Sequence, residues 1–120
     1  MLINLSNHPY EKWSQQQITE SQKLFGNVED VAFPNVPPQW DSPDVLKLAG
    51  ETVQDITKQY SDFSVLIAGE QSFLVAAVQL FQQQGIDAYC ATSERIVSQN
   101  HDGSKNIVFE FVRFRKIIVP

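Results

Sequence analysis

The stretch FSVLIAG at residues 63–69 decides the fold, because it is apolar at every position except Ser64 and ends at a glycine. A continuous apolar run of this length is typical of a β-strand that is covered on both faces. Further strand-like segments lie at residues 2–5, 28–33 and 87–91, and segments with helical periodicity separate them. The resulting order β-α-β-α-β-α-β predicts a mostly parallel sheet with right-handed crossovers.

Three helices are predicted between these strands. The first begins after the capping residue Ser14 and ends at Gly26. The second begins after Ser42 as its cap, with Pro43 at the first helical position. The third ends at Gly85.

The end of the chain is predicted to form an antiparallel hairpin. Strand-like residues 96–99 and 107–115 flank an Asp-Gly step at 102–103, which is a strong turn signal. The third strand is the most apolar and therefore the most central, with strand 1 beside it, so the expected order is 2-1-3-4. The predicted fold is a single α/β domain over residues 1–120, a Rossmann-like three-layer sandwich with a C-terminal hairpin.

Composition excludes several classes of protein. The 120 residues include nine Lys and Arg against fourteen Asp and Glu, and the net charge of −5 argues against binding of duplex nucleic acid. Residues 95–120 carry five basic and two acidic side chains, a net charge of +3 that suits a small anionic ligand. The single Cys90 excludes a disulfide framework, and no metal cluster or cofactor motif is evident. No apolar run is long enough to span a membrane and no signal peptide is recognised, so a cytoplasmic protein is expected.

Three predicted loops meet at the edge of the sheet where a ligand would bind. Ligands of open α/β sheets bind beyond the carboxyl ends of the strands where the strand order reverses, here between strands 1 and 3. The loops that follow strands 1, 3 and 4 cover residues 6–10, 69–72 and 92–95.

Polar side chains in these loops are the candidate ligand-binding residues. Hydroxyl, amide and guanidinium groups suit ribose and phosphate, and His8 can transfer a proton near neutral pH. Turn formation, a tight turn at Gly69 and surface ion pairs of Arg95 explain the same residues about as well, so both interpretations stay open. The candidates besides His8 are Ser6, Asn7, Gly69, Glu70, Gln71, Ser72, Thr92, Ser93 and Arg95.

Aromatic residues and arginines alternate in the predicted last strand. Phe109 and Phe111 are expected to share one side of that strand with Arg113 and Arg115. Strand packing or a dimer face explains this pattern better than a nucleic-acid interface does.

The chain resembles the CRISPR-associated Rossmann fold (CARF) group. The resemblance rests on the strand-1 exit Ser6-Asn7-His8-Pro9, the strand-4 exit Thr92-Ser93-Glu94-Arg95 and the final hairpin. It is similar to the minimal single-domain members found beside type III CRISPR systems, some of which are ring nucleases. This resemblance implies a homodimer that binds a cyclic oligoadenylate, with cyclic tetra-adenylate as the expected ring.

The implied reaction needs neither a metal nor a cofactor. A ribose 2′-hydroxyl attacks the adjacent phosphodiester, leaves a 2′,3′-cyclic phosphate end and switches off the antiviral signal. The resemblance implies three catalytic residues, with His8 for proton transfer, Arg95 for charge stabilisation and Ser6 for holding the phosphate. The other implied contacts to phosphate and ribose come from Asn7, Thr92 and Ser93.

Two alternatives to the enzyme stay open. The three loops contain no lysine, whereas many ring nucleases use a basic residue there. A non-catalytic protein that sequesters or senses the same cyclic oligoadenylate is therefore the first alternative. The second is a structural or interaction protein that uses the last strand as a partner edge.

Overall fold

The computed structural model describes residues 1–120, which form five strands, three α-helices and one 3₁₀ turn. None of the helices has the length and apolar content needed to cross a bilayer. The strands are β1 (Leu2–Ser6), β2 (Val28–Ala32), β3 (Ser64–Ile67), β4 (Ala88–Gln99) and β5 (Lys105–Lys116). The α-helices are α1 (Gln15–Phe25), α2 (Ser42–Gln59) and α3 (Gln71–Gln83), and the 3₁₀ turn is Tyr10–Lys12.

All five strands form one sheet in the order β2-β1-β3-β4-β5. The strand β1 pairs in parallel with β2 and β3, and β3 pairs in parallel with β4. The last strand, β5, is antiparallel to β4 and forms the edge of the sheet. The predicted α/β class, the order 2-1-3-4 and the C-terminal hairpin are confirmed.

The helices cover the sheet unequally. The larger core lies between the sheet and the pair α2 and α3, and it includes Ile3, Val65 and Phe81. The smaller core lies on the opposite face, where Trp13 and the helix α1 cover Leu66 and Phe114. We call these the α2/α3 face and the α1 face of the sheet. A single short helix leaves part of the α1 face open.

The predicted caps are correct for one helix and displaced by one residue for another. Ser14 caps α1, because its Oγ accepts a hydrogen bond from the Gln17 backbone N–H at 3.2 Å. The cap of α2 is Asp41 and not Ser42, which is the first helical residue. The Asp41 carboxylate accepts from the N–H groups of Ser42 and Asp44, and the Asp44 carboxylate accepts from the Asp41 N–H in return, so a complete capping box outcompetes a lone serine.

The strand β4 is longer than predicted, and the expected loop at 92–95 is wrong. Parallel pairing with β3 ends at Tyr89, but antiparallel pairing with β5 continues from Tyr89 to Gln99. Because β4 is hydrogen-bonded to β5 along this stretch, β4 continues through the polar residues 92–95 without a break. These residues lie inside a β-ribbon rather than at a strand exit.

A β-bulge changes which side chains share a face of β5. The pairing shifts between Thr92 and Ser93, which leaves Val112 as an extra residue in β5. Phe111 and Phe114 consequently both pack on the α1 face, although they are three residues apart. The expected sharing of one side by the aromatic residues and the arginines is wrong, because alternation around Phe114 turns Arg113 and Arg115 toward the α2/α3 face.

Replacement of Gly69 by alanine is expected to lower the free energy of unfolding by about 1–3 kcal/mol, because the added Cβ would overlap the buried Phe33 ring. Gly50→Ala is the matched control, since Gly50 lies in α2 with open space around it. In the control, the free energy of unfolding should rise by about 0.5–1 kcal/mol, because alanine has a higher helix propensity than glycine. Urea unfolding of both variants measures the difference, and equal effects at the two sites would contradict the packing argument.

Candidate functional site

The largest cavity lies on the α1 face, between the beginning of α1 and the base of the β4–β5 hairpin. Its volume is about 790 Å³, which is within the range of small-molecule sites. Four of the predicted residues line it, Ser6, His8, Thr92 and Ser93. The first and third predicted segments therefore meet at one cavity, although the third is a strand.

A buried asparagine holds the first loop in place. Asn4 lies in β1 and is completely buried on the α1 face. Its Nδ2 donates to the His8 carbonyl at 2.9 Å and to Asp30 Oδ1 at 2.8 Å, and its Oδ1 accepts from the Ser6 hydroxyl at 2.7 Å. The Trp13 indole Nε1 donates to the same His8 carbonyl at 3.0 Å. The loop is thus fixed by its backbone.

Two residues of this loop, Ser6 and His8, line the cavity, and only one of them has a side chain free of internal hydrogen bonds. The Ser6 hydroxyl donates to Asn4 and accepts from the His8 N–H at 3.1 Å, so its role is to hold the turn. The His8 imidazole makes no hydrogen bond within the protein, and the side chain is exposed. His8 is therefore the residue of this loop that can offer its side chain to a ligand in the main cavity.

The structure adds a lysine that the sequence analysis did not find. Lys12 lies at the end of the 3₁₀ turn and lines the cavity with Ser14 and Gln16. No carboxylate pairs with its ammonium group. The N–H groups of the first turn of α1 lack intrahelical acceptors, so this corner of the cavity favours an anion. Pro9 was the sequence signal that could have predicted this position of Lys12. Its φ of −66° begins the 3₁₀ turn, and that turn directs Lys12 toward the cavity.

The hairpin contributes an apolar wall and one hydroxyl. Ser93 pairs with Phe111 and Arg95 pairs with Phe109, so these four side chains share the α1 face. The hydroxyl of Thr92 is on the other face, where it donates to the Arg113 carbonyl at 3.2 Å. Arg95 does not line the cavity and lies two residues, about 7 Å, further along the strand from Ser93.

The second predicted loop is not part of this cavity. Gly69 permits close packing of the Phe33 ring, and Glu70 caps α3. The Glu70 carboxylate accepts from the N–H groups of Ser72 and Phe73, at 3.1 and 2.7 Å, and from the Ser72 hydroxyl. A carboxylate therefore occupies the position that a phosphate would take at this helix terminus.

The remaining candidates lie apart from the main cavity. Asn7 and Glu70 line a separate shallow depression of about 310 Å³ beside Phe33. Ser72 lines the groove between α2 and α3, and Gln71 is the exposed first residue of α3. No group of three or more His, Cys, Asp or Glu side chains is placed to hold a metal ion.

Comparison with known proteins places the chain in a family. A family model described as the uncharacterized protein MJ1673 family matches residues 1–115. The chain belongs to the MJ1673 family. The match extends through β4 and nearly all of β5, so the hairpin is part of the MJ1673 family unit rather than an appendage. No curated protein and no solved structure matches the chain.

The capping role of Glu70 predicts an acid-dependent loss of stability. Hydrogen bonds from the Ser72 hydroxyl and from the Phe73 and Ser72 N–H groups lower the pKa of Glu70 below its ordinary 4.5. The stabilisation is therefore complete above that ordinary value and is lost as the pH falls through the lower folded-state pKa. The difference in melting temperature between the wild type and Glu70→Gln should be constant near neutral pH and shrink in acid. A difference that grows on acidification would contradict the capping role.

Proposed function

We propose that this member of the MJ1673 family binds a cyclic oligoadenylate in the cavity on the α1 face and cleaves one of its phosphodiester bonds without a metal. One observation carries the proposal, namely that His8, Lys12 and Ser93 line a single cavity with the N-terminal turn of α1. The resemblance of the loops to the CARF group supplies the class of ligand. A homodimer in antiviral defence of the type III CRISPR kind belongs to the same proposal, on that resemblance.

The chemistry of the cavity suits one adenylate unit. A phosphate fits the corner formed by Lys12 and the first turn of α1, because both favour negative charge. The opposite wall carries Phe109, which is 66% exposed, beside the buried Phe111. An exposed ring of this kind can stack on a nucleobase. Ser93 lies beside Phe111 on the same wall, and its hydroxyl can bind a ribose.

The proposed reaction uses a nucleophile from the ligand. The 2′-oxygen forms a bond to phosphorus, the bond from phosphorus to the 5′-oxygen breaks, and a 2′,3′-cyclic phosphate remains. His8 accepts the proton of the 2′-hydroxyl and returns one to the leaving 5′-oxygen. Lys12 stabilises the negative charge of the phosphorane. The resemblance implies Arg95 for this role, but Lys12 lines the cavity and Arg95 does not. Arg95, further along the strand, is placed for the next phosphate of the ring.

A second function, binding without cleavage, is favoured by one observation. The His8 imidazole has no hydrogen-bonding partner that would orient it, whereas catalytic histidines are commonly held by a second group. In that case the protein sequesters or senses the ligand with the same cavity.

Replacement of Lys12 by methionine is expected to weaken binding of cyclic tetra-adenylate by about tenfold or more, because one charge-assisted phosphate contact is lost. Lys23→Met is the matched control, since Lys23 lies in the last turn of α1 and does not line the cavity. Isothermal titration calorimetry measures both affinities. Equal affinities for the two variants would contradict the assignment of the phosphate corner.

Cleavage is expected to depend on His8. In EDTA, the wild type should convert cyclic tetra-adenylate to products with 2′,3′-cyclic phosphate ends, and His8→Ala should be about 10²–10⁴-fold slower with similar affinity. Chromatography of the products measures both rates. If the wild type binds the ligand but leaves it intact after prolonged incubation, the protein is a binding protein and not an enzyme. A lack of binding would contradict both proposed functions.

A further inference from the structure

The outer edge of the sheet is unusually open. The strand β5 has twelve residues and is hydrogen-bonded to β4 alone, so its other edge carries unpaired backbone groups. Such edges are templates for pairing with another chain unless they are short, broken or charged. The strand carries Lys105 at its start, Arg113, Arg115 and Lys116 toward its end and a bulge at Val112, but the stretch Asn106–Phe111 is regular and contains only one charged residue.

The distal part of the hairpin exposes apolar side chains on both faces. We call residues 95–109 the hairpin arm; no helix covers it, and it contributes to a molecule 52 Å long. An uncovered two-stranded ribbon has marginal stability in water. Large side chains on the arm are between about one third and two thirds exposed: Ile96, Val97, Ile107, Val108 and Phe109. A further strand paired along its free edge would therefore stabilise the arm.

The charges on the same edge indicate which partner fits. Glu94 and Glu110 lie directly opposite each other in the ribbon, an arrangement that destabilises a strand pair. Arg113 lies three residues from Glu110, and no carboxylate pairs with it, since the only ion pair joins Lys116 to Asp87. The edge thus offers an uncompensated acid and an unpaired base to whatever binds it.

We propose that β5 pairs with β5 of a second copy of this chain, antiparallel and about a two-fold axis perpendicular to the sheet. The register places Glu110 opposite the partner's Arg113, and the symmetry repeats this ion pair. The axis passes between Phe111 and Val112. The result is one continuous sheet of ten strands with an isologous interface.

This register also gives the hairpin arm a third strand. Phe109 falls opposite the partner's Phe114 on the α1 face, and Val108 falls opposite the partner's Arg115 on the α2/α3 face. The arm of each copy then lies along the base of the other hairpin. Because Phe111 lines the main cavity, the two cavities flank the axis on the same face of the sheet. The dimer forms with or without a ligand, so it does not depend on the proposed function.

Charge reversal tests the register. Sedimentation equilibrium should show a wild-type dimer, and Glu110→Arg or Arg113→Glu alone should weaken dimerisation by about tenfold or more, because each variant places like charges opposite each other twice. The double variant Glu110→Arg with Arg113→Glu should restore the dimer. In the Glu110→Arg monomer, the repulsion between Glu94 and Glu110 is replaced by an attraction, so the fold of the monomer should not be destabilised. A loss of dimer in this variant therefore cannot be assigned to unfolding.

The opposite edge of the sheet provides the control. Glu29 is an exposed acid in the edge strand β2, and Glu29→Arg should leave the dimer unchanged. Circular dichroism should show that all four variants are folded. A wild type that is monomeric across the micromolar range would overturn the proposal, because the edge of β5 would then be unpaired in solution. A dimer that survives the single reversals, or that the double variant fails to restore, would overturn it as well.

Discussion

The arrangement of the α1 face depends on one buried carboxamide. Asn4 interrupts an otherwise apolar strand in the interior of the sheet and has no contact with water. A buried amide without partners costs several kcal/mol of free energy, so the chain around it must supply them. It does so with the His8 carbonyl, the Asp30 carboxylate and the Ser6 hydroxyl. The turn after β1 folds back over the sheet because this is how the amide is satisfied.

The position of α1 follows from that turn. The His8 carbonyl also accepts from the Trp13 indole, and Trp13 is buried against Phe114 of the hairpin, with ring centroids 6.1 Å apart. The 3₁₀ turn between them directs Lys12 into the open part of the α1 face. One short helix, anchored at its beginning, cannot cover a sheet that the long hairpin widens. The cavity is the space that remains.

The fold and about half of the candidate site could be predicted from the sequence. Periodicity and caps located every helix, and the apolar third strand predicted the strand order, because these signals are local or depend on burial alone. The continuity of β4 through residues 92–95 was missed because it depends on pairing with β5, and the bulge at Val112 was missed because no residue type marks it. Asn4 was taken as part of an apolar run, although a lone amide in such a strand was the signal for the network. Lys12 reaches the cavity only through the turn which that network imposes.

The claim that the Asn4 network shapes a ligand site on the α1 face is tested most directly by NMR. Titration of ¹⁵N-labelled wild type with cyclic tetra-adenylate should shift the amide signals of Ser6, His8, Lys12 and Ser93. A folded Asn4→Ala variant should lose these shifts, because the turn no longer holds its position. An unchanged wild-type spectrum, or shifts confined to the α2–α3 groove around Leu46 and Val75, would contradict the account.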